Sequence, residues 1–412
     1  MNPVIDGALA RTRLPEGARD LLPVQRQDLE AIERAMRDSF GRFGYREVRT
    51  PMLEYADVMD RALEGGVGRA FRLFDEHGQV LVLRPDLTIP VARMVAGRFS
   101  DHVGALRLSY VAPVARPARP GRAQGIEERQ AGVELIGVGE ASGDAEVIAL
   151  LVSSLRAQGI DDVQVSVGDV GLIRAAIAGL GVDDATLHRL EEAARARDLI
   201  TWREVSDDSG IPADARATLA ALPTLRGGRD LPDEVAREIP ATADECRRLG
   251  EMIDLLESHG VADSVVIDLG VLRDWGYYTG VVFEGFAPGI STPVALGGRY
   301  DALLGRFGAD RPAVGFGVLL DPLHEARRRR TTEIEPTGVV LVGGRDERVV
   351  LANAIRDAGH DVVAAGAGEA GEDIARAERR RFVVDGRTVV DRVLGTRTTV
   401  SDDQEVLAFL RS

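Results

Sequence analysis

Lysine is missing from this chain: all 51 basic residues are arginine. That absence excludes a Walker-type phosphate loop, a Schiff-base lysine and pyridoxal-phosphate attachment together, because each needs an ammonium group that a guanidinium cannot replace. Cysteine is nearly missing as well. Cys246 has no second cysteine to pair with, and the six histidines, His77, His102, His188, His259, His324 and His360, show no ligand spacing. Neither a disulfide framework nor a metal site is expected, and nothing in the sequence calls for a cofactor. No apolar run approaches the roughly 20 residues of a membrane span, and the opening MNPVIDGALARTR carries Asp6 and lacks the apolar stretch of a signal peptide. A cytoplasmic protein with no membrane association is the expectation. A formal charge of −15 repels phosphate backbones, so no tRNA partner is expected unless a local basic face compensates.

What is present is enough apolar residue for more than one core: 412 residues, 45% hydrophobic and 28% charged, the profile of two or three globular units. Residues 24–43 carry Leu29, Ile32, Met36, Phe40 and Phe43 at near-helical spacing among Arg, Asp and Glu, which predicts an amphipathic helix. Gly44 ends it, residues 45–49 alternate as a strand, and Pro51 removes a ladder donor where an edge or a subunit contact would lie. VLVLRPD (80–86), ALRLSYV (105–111) and QAGVELIG (130–137) predict strands of an antiparallel or mixed sheet, and DAEVIALLVSSLRAQ (144–158) predicts a helix.

From about residue 170 to 262 the chain turns Ala-, Leu- and Glu-rich, a helical insert, after which SVVIDLGVL and GVVFEGF resume the sheet as an alternating pair. The Arg327 to Arg330 run reads as a solvated helix end and TTEIEPTG as a linker. VVLVGG, a helix ending at Gly359, and DVVAAG then form a strand-helix-strand unit whose GGRD turn falls short of a dinucleotide fingerprint. The expected division is a core in two parts, residues 1–168 and 263–326, flanking a helical insert at 169–262, with a small C-terminal α/β domain at 335–412.

The blocks RLPEGARDLLP, GYREVRTPMLE, LRPDLT, QAGVELIG, the stretch from Arg273 through YYTGVVFE, and GGRYDALL resemble histidyl-tRNA synthetase, a class II aminoacyl-tRNA synthetase. The resemblance implies an α+β fold with an antiparallel sheet core flanked by helices, and a pocket for histidine. Such a ligand brings an ammonium, a carboxylate and an imidazole, each in need of its own complement. By similarity, Asp86, Thr88 and Gln130 face the ammonium and Arg273 holds the carboxylate. Glu134, four residues after Gln130 and so on the same strand face, takes one imidazole nitrogen, Tyr278 takes the other, and Tyr277 lines the wall. Taken singly, a strand glutamate is usually solvated and a tyrosine usually core; it is the set at family spacing that points to a ligand. The chain departs from the family's RGLDYY by reading Arg273, Asp274, Trp275, Gly276, Tyr277, Tyr278.

The nucleotide side departs further. Where the family reads FRxE and a loop ending RxREFxQ, this chain keeps Arg116 but has Ala115, Ala118, Gln124 and Ile126, and Pro322 stands at the arginine of the third motif. A charged contact made in a transition state is worth about 3 kcal/mol, so three losses would slow adenylation on the order of a millionfold if additive. Arg116 is then left to neutralise the ligand carboxylate, to meet a partner's anion or to pair with a nearby acid, and the sequence does not choose. LRPD in place of LRPE, QAGVELIG and DAEVIAL beside such losses are similar to the noncatalytic branch of the family, the regulatory subunits of ATP phosphoribosyltransferase. That resemblance implies a short-form catalytic subunit as partner, joining ATP to phosphoribosyl pyrophosphate in the first step of histidine biosynthesis. It also implies L-histidine as effector, and a homodimer built around residues 44–51 within a hetero-oligomer. A divergent synthetase and a stand-alone histidine-sensing module are the alternatives.

Overall fold

The computed structural model describes residues 12–62, 70–117, 125–179, 183–196, 198–208, 213–271, 278–330, 337–343, 345–365 and 370–410. Two compact units emerge: residues 1–20 with 29–327, and residues 21–28 with 328–412. The helical stretch falls inside the first unit rather than standing apart.

In chain order the first unit begins with helix α1 (Pro23–Arg42), of which the residues from Leu29 onward belong to it. Leu29, Ile32, Met36 and Phe40 are all essentially inaccessible, each burial contributing about 1.5–3 kcal/mol. Strands β1 (Arg46–Glu47) and β2 (Leu53–Tyr55), helix α2 (Ala56–Ala62), strands β3 (Arg72–Phe74) and β4 (Val80–Leu83), and helix α3 (Thr88–Arg98) follow. Two long strands, β5 (Leu106–Ala115) and β6 (Glu127–Ile136), lead into helix α4 (Ala141–Arg156) and strand β7 (Gln164–Asp169). The helical stretch is α5 (Val170–Gly179), α6 (Asp184–Ala196), α7 (Leu199–Asp208), α8 (Ala213–Ala221), the two-residue β8 (Arg226–Gly227), α9 (Leu231–Glu238) and α10 (Ala243–Ser258). Strands β9 (Val265–Asp268), β10 (Val281–Phe286), β11 (Ala295–Arg299) and β12 (Ala313–Leu319) and helix α11 (Leu320–Arg330), of which the residues up to Arg327 belong to it, complete it.

Nine strands form one sheet in the order β1-β5-β6-β12-β11-β10-β7-β9-β8, parallel only at β1–β5 and β7–β9. A separate three-stranded sheet has the order β2-β4-β3. VVID and VVFEGF resume the sheet but are not neighbours in it: β10 runs antiparallel to β7 and β9 parallel to it, so β7 lies between them. Nor does β10 alternate; five of its six residues are buried, as befits a central strand covered on both faces.

The register assigns the two faces of this sheet different tasks. Val133 pairs with Phe316 and Gly297 with Phe283, and on that side Phe40 of α1 meets Phe316 edge-on at 5.9 Å between ring centroids. Glu134 pairs with Leu108 on one neighbour and Gly315 on the other, so Tyr110, Gln130, Gly132, Gly298 and Gly317 share the opposite face with it. That face is covered by α2 and α3, whose Met59, Ile89, Val91 and Val95, with Leu87 just before α3, build one core with Leu108, Tyr110, Ile136 and Tyr300.

The second unit holds strands β13 (Val339–Val342), β14 (Val362–Ala364), β15 (Phe382–Asp385), β16 (Thr388–Asp391) and β17 (Thr396–Thr399) in the order β14-β13-β15-β16-β17. The first three are parallel and the rest an antiparallel meander. Helices α12 (Arg345–Asp357), α13 (Gly371–Ala377) and α14 (Asp403–Leu410) accompany it, and Val339, Leu341, Ile355, Phe382, Val384 and Val406 form its core. Most of the linker, residues 331–336, lies outside the described residues.

Candidate functional site

Glu134 sits on β6, an interior strand of the nine-stranded sheet, and is 1% exposed. The Tyr110 hydroxyl donates to its Oε1 at 3.3 Å, the Tyr300 hydroxyl donates to Oε2, and the Thr88 hydroxyl bonds within the same cluster. Burial drives the carboxyl up to about 8; the three hydroxyls pull it back without restoring the usual carboxylate range, and the nearby Asp86 carboxylate pushes it higher. Tyr110, enclosed beside the same acid, is raised well above a phenol's ordinary value for the same first reason, loss of water.

Room for this cluster comes from glycine. A Cβ on Gly315 would stand 1.9 Å from Glu134 Oε2, one on Gly132 would stand 2.5 Å from the Tyr110 hydroxyl, and one on Gly298 would stand 2.7 Å from the Tyr278 ring. Any other residue at these positions would displace either a functional side chain or the strand beside it. Gly317 is looser, its nearest neighbours being the Tyr110 hydroxyl at 3.7 Å and the Gln130 side chain at 3.8 Å.

The GGRYD turn owes its residue types to strand alternation. Arg299 points to the helix side, where it forms an ion pair of 2.8 Å with Asp144 in the first turn of α4, both side chains 1% exposed. It also donates to the Val138 carbonyl at 3.0 Å and to Asp301 at 3.1 Å. Tyr300, the next residue, points the other way, to Glu134. Removing one partner of a buried pair such as Arg299–Asp144 costs about 3–5 kcal/mol, so the turn that delivers Tyr300 is held firmly. Asp301 fixes its far side, accepting from the Ala313 backbone at 3.0 Å while its own N–H donates to the Thr279 hydroxyl at 3.0 Å.

Asp86 and Thr88 flank Leu87 at the start of α3, and Asp86 accepts the Ile89 backbone N–H at 3.0 Å, an N-cap bond made from one position early. Both side chains are half-buried and lie beside the Glu134 cluster. Gln130 is 7% exposed and Tyr278 is partly buried against the core that contains Tyr110 and Tyr300. Arg116 lies at the other end of β6: its Nε donates to the Pro85 carbonyl at 2.6 Å and its guanidinium pairs with Glu128 at 3.2 Å. Burial pushes the Glu128 carboxyl up and Arg116 pulls it back. Thus Asp86, Thr88, Gln130, Glu134 and Tyr278 come together, with Arg116 next to Asp86 through Pro85. Arg273 and Tyr277 lie outside the described residues, as do Ala118, Gln124 and the departures at Asp274, Trp275 and Gly276.

Sequence reasoning missed Tyr110 and Tyr300 as individual site residues. Tyr300 was within reach, being the exposed-or-buried partner of Arg299 in a turn already singled out. Tyr110 carried no signal of its own, since only the pairing of β5 with β6, which sets it opposite Gly132, brings it to the acid.

Among the described residues no group of three His, Cys, Asp or Glu could hold a metal ion, and no helix is long and apolar enough to cross a membrane.

Comparison with known proteins gives this geometry a context. The family model described as histidyl-tRNA synthetase matches residues 17–323. An ATP phosphoribosyltransferase regulatory subunit from Moorella thermoacetica is 36% identical over 368 residues, 88% of this chain and 94% of that protein. One from Desulfitobacterium hafniense is 40% identical over 345 residues, covering 83% and 88%. Among solved structures, an ATP phosphoribosyltransferase regulatory subunit/histidyl-tRNA synthetase from Bacillus halodurans superposes with a TM-score of 0.79 at 32% identity, covering 90% of this chain and 97% of that one. A histidyl-tRNA synthetase from a Nostoc species reaches 0.81 at 19% identity over 97% and 98% of the two chains, which is likeness of fold alone.

Proposed function

The chain belongs to the histidyl-tRNA synthetase family, in the branch of ATP phosphoribosyltransferase regulatory subunits, and from that premise we propose that it is a noncatalytic regulatory subunit. In this reading it joins a short-form catalytic subunit for the first step of L-histidine biosynthesis and binds histidine, the end product, for feedback control. The observation that carries the reading is the buried Glu134 with its Tyr110, Tyr300 and Thr88 hydroxyls above a floor of glycines. A cluster of that chemistry suits a flat ring with one basic nitrogen. In this reading Asp86, Thr88 and Gln130 face the ammonium, Tyr278 the ring and Arg116 the carboxylate side, while the roles of Tyr277 and Arg273 come from the resemblance alone, both lying outside the described residues. The loss of ATP chemistry rests on the sequence at Ala115, Ala118, Gln124, Ile126 and Pro322.

Control then follows from linkage. If histidine favours a less active state of the complex by about 1–3 kcal/mol, the catalytic subunit's state must alter histidine affinity by the same amount. The test is reconstitution: a short-form catalytic subunit assayed for phosphoribosyl transfer alone, with this chain, and with this chain plus histidine. Activity that appears only with the chain and falls with histidine is the expected result. Formation of histidyl-adenylate from ATP by the purified chain at a synthetase's rate would overturn the noncatalytic assignment. The free chain at about 100 times its dissociation constant of histidine should gain roughly 2.7 kcal/mol of stability. No shift in a thermal melt would remove histidine from the reading.

A further inference from the structure

Arg84 lies two residues before Asp86 and is 3% exposed, yet among the described residues its bonds all end on neutral oxygens. Its Nη1 donates to the Thr50 carbonyl at 2.7 Å, the Thr50 hydroxyl at 3.0 Å and the Pro51 carbonyl at 3.1 Å. From the other edge of the guanidinium, Nε and Nη2 both donate to the Pro113 carbonyl, at 3.0 and 2.8 Å. The backbone repeats the pattern: the Arg84 N–H donates to the Met52 carbonyl and the Arg84 carbonyl accepts the Ala115 N–H, each at 3.0 Å. Burial lowers the pKa of the guanidinium, while the fields of Glu54 and Asp86 raise it and that of Arg49 lowers it further.

The acceptors lie where backbone pairing gives out. Residues 46–48 follow β5 as far as the Val48 N–H, which donates to the Ser109 carbonyl at 2.8 Å. Farther along, Pro51 and Pro113 have no N–H to offer a ladder. The guanidinium supplies donors in that stretch and bridges the carbonyls of residues 50, 51 and 113. A buried cation bonded to carbonyls has given up its hydration without a carboxylate at bonding distance, so what it contributes is geometry. An ammonium there would bring the charge and three donors but no planar fork.

What this clamp holds is the turn into α3. Pro85 fixes its own φ and offers its carbonyl to Arg116 Nε at 2.6 Å, and Asp86 then accepts the Ile89 N–H at 3.0 Å. Two residues of chain span no more than about 7 Å, so Asp86 has little slack relative to Arg84. The far side of the turn is pinned separately, because Thr88 bonds within the Tyr110 and Glu134 cluster. The ring end of the pocket is also anchored independently: Tyr110 by the pairing of β5 with β6, and Tyr300 by the Arg299–Asp144 pair beside it.

We propose that Arg84 is the positioning residue for the ammonium end of the pocket: by clamping residues 50–51 to residue 113 it sets where Asp86 stands, and so selects an amino acid over the same ring without its ammonium. This rests on the reading that the site takes histidine. It adds a residue that never touches the ligand and yet governs one of the ligand's three contacts.

The experiment is calorimetric titration of the full chain with L-histidine and with imidazolepropionate, which keeps the ring and the carboxylate and lacks the ammonium. The parent chain should prefer L-histidine. In Arg84→Lys and Arg84→Met the affinity for L-histidine should fall about tenfold or more, while that for imidazolepropionate stays within about twofold, so that the preference collapses. Lysine keeps the charge and loses the fork, so a collapse in Arg84→Lys assigns the effect to geometry; should Arg84→Met fail to fold, Arg84→Lys decides alone. Loss of both ligands in equal proportion is what a merely structural role would give, and it overturns the proposal, as does a variant that keeps the parent's preference. A parent chain that binds both ligands equally has no ammonium contact to position and overturns it too. A parent chain that binds neither ligand overturns the histidine reading itself.

Discussion

Strand β6 carries two buried glutamates on one face, Glu128 near its start and Glu134 near its end, and they live in opposite electrostatic conditions. Glu128, 7% exposed, meets the guanidinium of Arg116; Glu134, 1% exposed, meets, among the described residues, three hydroxyls and the field of another acid. Burial raises both carboxyls, but at the Arg116 end a fixed cation offsets part of the penalty, whereas at the pocket end the described residues offset it with hydroxyls. One end of the strand is complete within the chain. The other keeps its acid among hydroxyl donors, with burial holding the carboxyl up at about 8. Along about six residues of one strand the protein thus separates a structural ion pair from a site built for a ligand.

The contrast breaks most completely at the glycine floor. Gly315→Ala places a methyl 1.9 Å from Glu134 Oε2 and 2.4 Å from the Val133 carbonyl, so the acid or the strand must move. Overpacking of this kind costs about 1–3 kcal/mol, and we expect thermal melts of this variant to lose both stability and any histidine-dependent shift. Gly317→Ala, two residues along the same strand, meets nothing closer than 3.7 Å and should melt like the parent and keep its response. Equal behaviour of the two variants would mean that the floor does not shape the pocket.

Stability against pH is the next test, and its sign follows from the raised carboxyls. Glu134, at about 8, and Asp169, a buried acid at about 7 that caps the Leu172 backbone N–H at 2.9 Å, hold protons in the folded chain that the unfolded chain releases near 4. The folded state therefore binds more protons across that interval, and stability must fall as pH rises through it, by up to about 1.4 kcal/mol per pH unit for each group. Urea midpoints of the free chain should decline from pH 5 toward pH 9. Glu134→Gln should flatten the part of that decline nearest pH 8, because an amide has no proton to lose. A midpoint that rises with pH would contradict the uncompensated state of the pocket end.

How much of this could be read from the residues differs by the range of the interaction involved. The α1 helix was legible because its evidence is local: Leu29, Ile32, Met36 and Phe40 recur at one face's spacing, and all are buried. Strand β5 read short, to residue 111, since Pro113 cannot donate to a ladder, yet the strand continues to Ala115; its edge neighbour β1 pairs only at Leu108 and Ser109, well before the proline. The neighbours of VVID and VVFEGF were not legible for want of non-local information, because nothing in either segment says that β7, about a hundred residues earlier, lies between them. Strands β15 to β17 were not anticipated, although Gly386, at φ 54°, marks the tight turn between the first two. At the site, Glu134, Gln130, Asp86 and Thr88 were visible through family spacing, while Tyr110 became visible only with the register that sets it beside the acid.

The smallest effect is expected where the chain already compensates itself. The Arg116 side chain is 37% exposed, so solvent screens the pair and its worth to stability is at most about 1 kcal/mol. Arg116→Ala should cost about that much near pH 8, where Glu128 would be left as a buried anion without its cation, and almost nothing near pH 5, where the carboxyl can take a proton instead. In a Glu128→Gln background the same substitution should cost only what its bond to the Pro85 carbonyl contributes, equally at both pH values, which a double-mutant cycle in urea would read directly. Histidine affinity decides to which end of the strand Arg116 belongs. Its bonds to Pro85 and Glu128 leave it acting on the ligand mainly through the position of Asp86, so the loss should stay below about tenfold, or 1.4 kcal/mol. A larger loss would make Arg116 a direct ligand of the histidine carboxylate and extend the pocket across the whole length of β6.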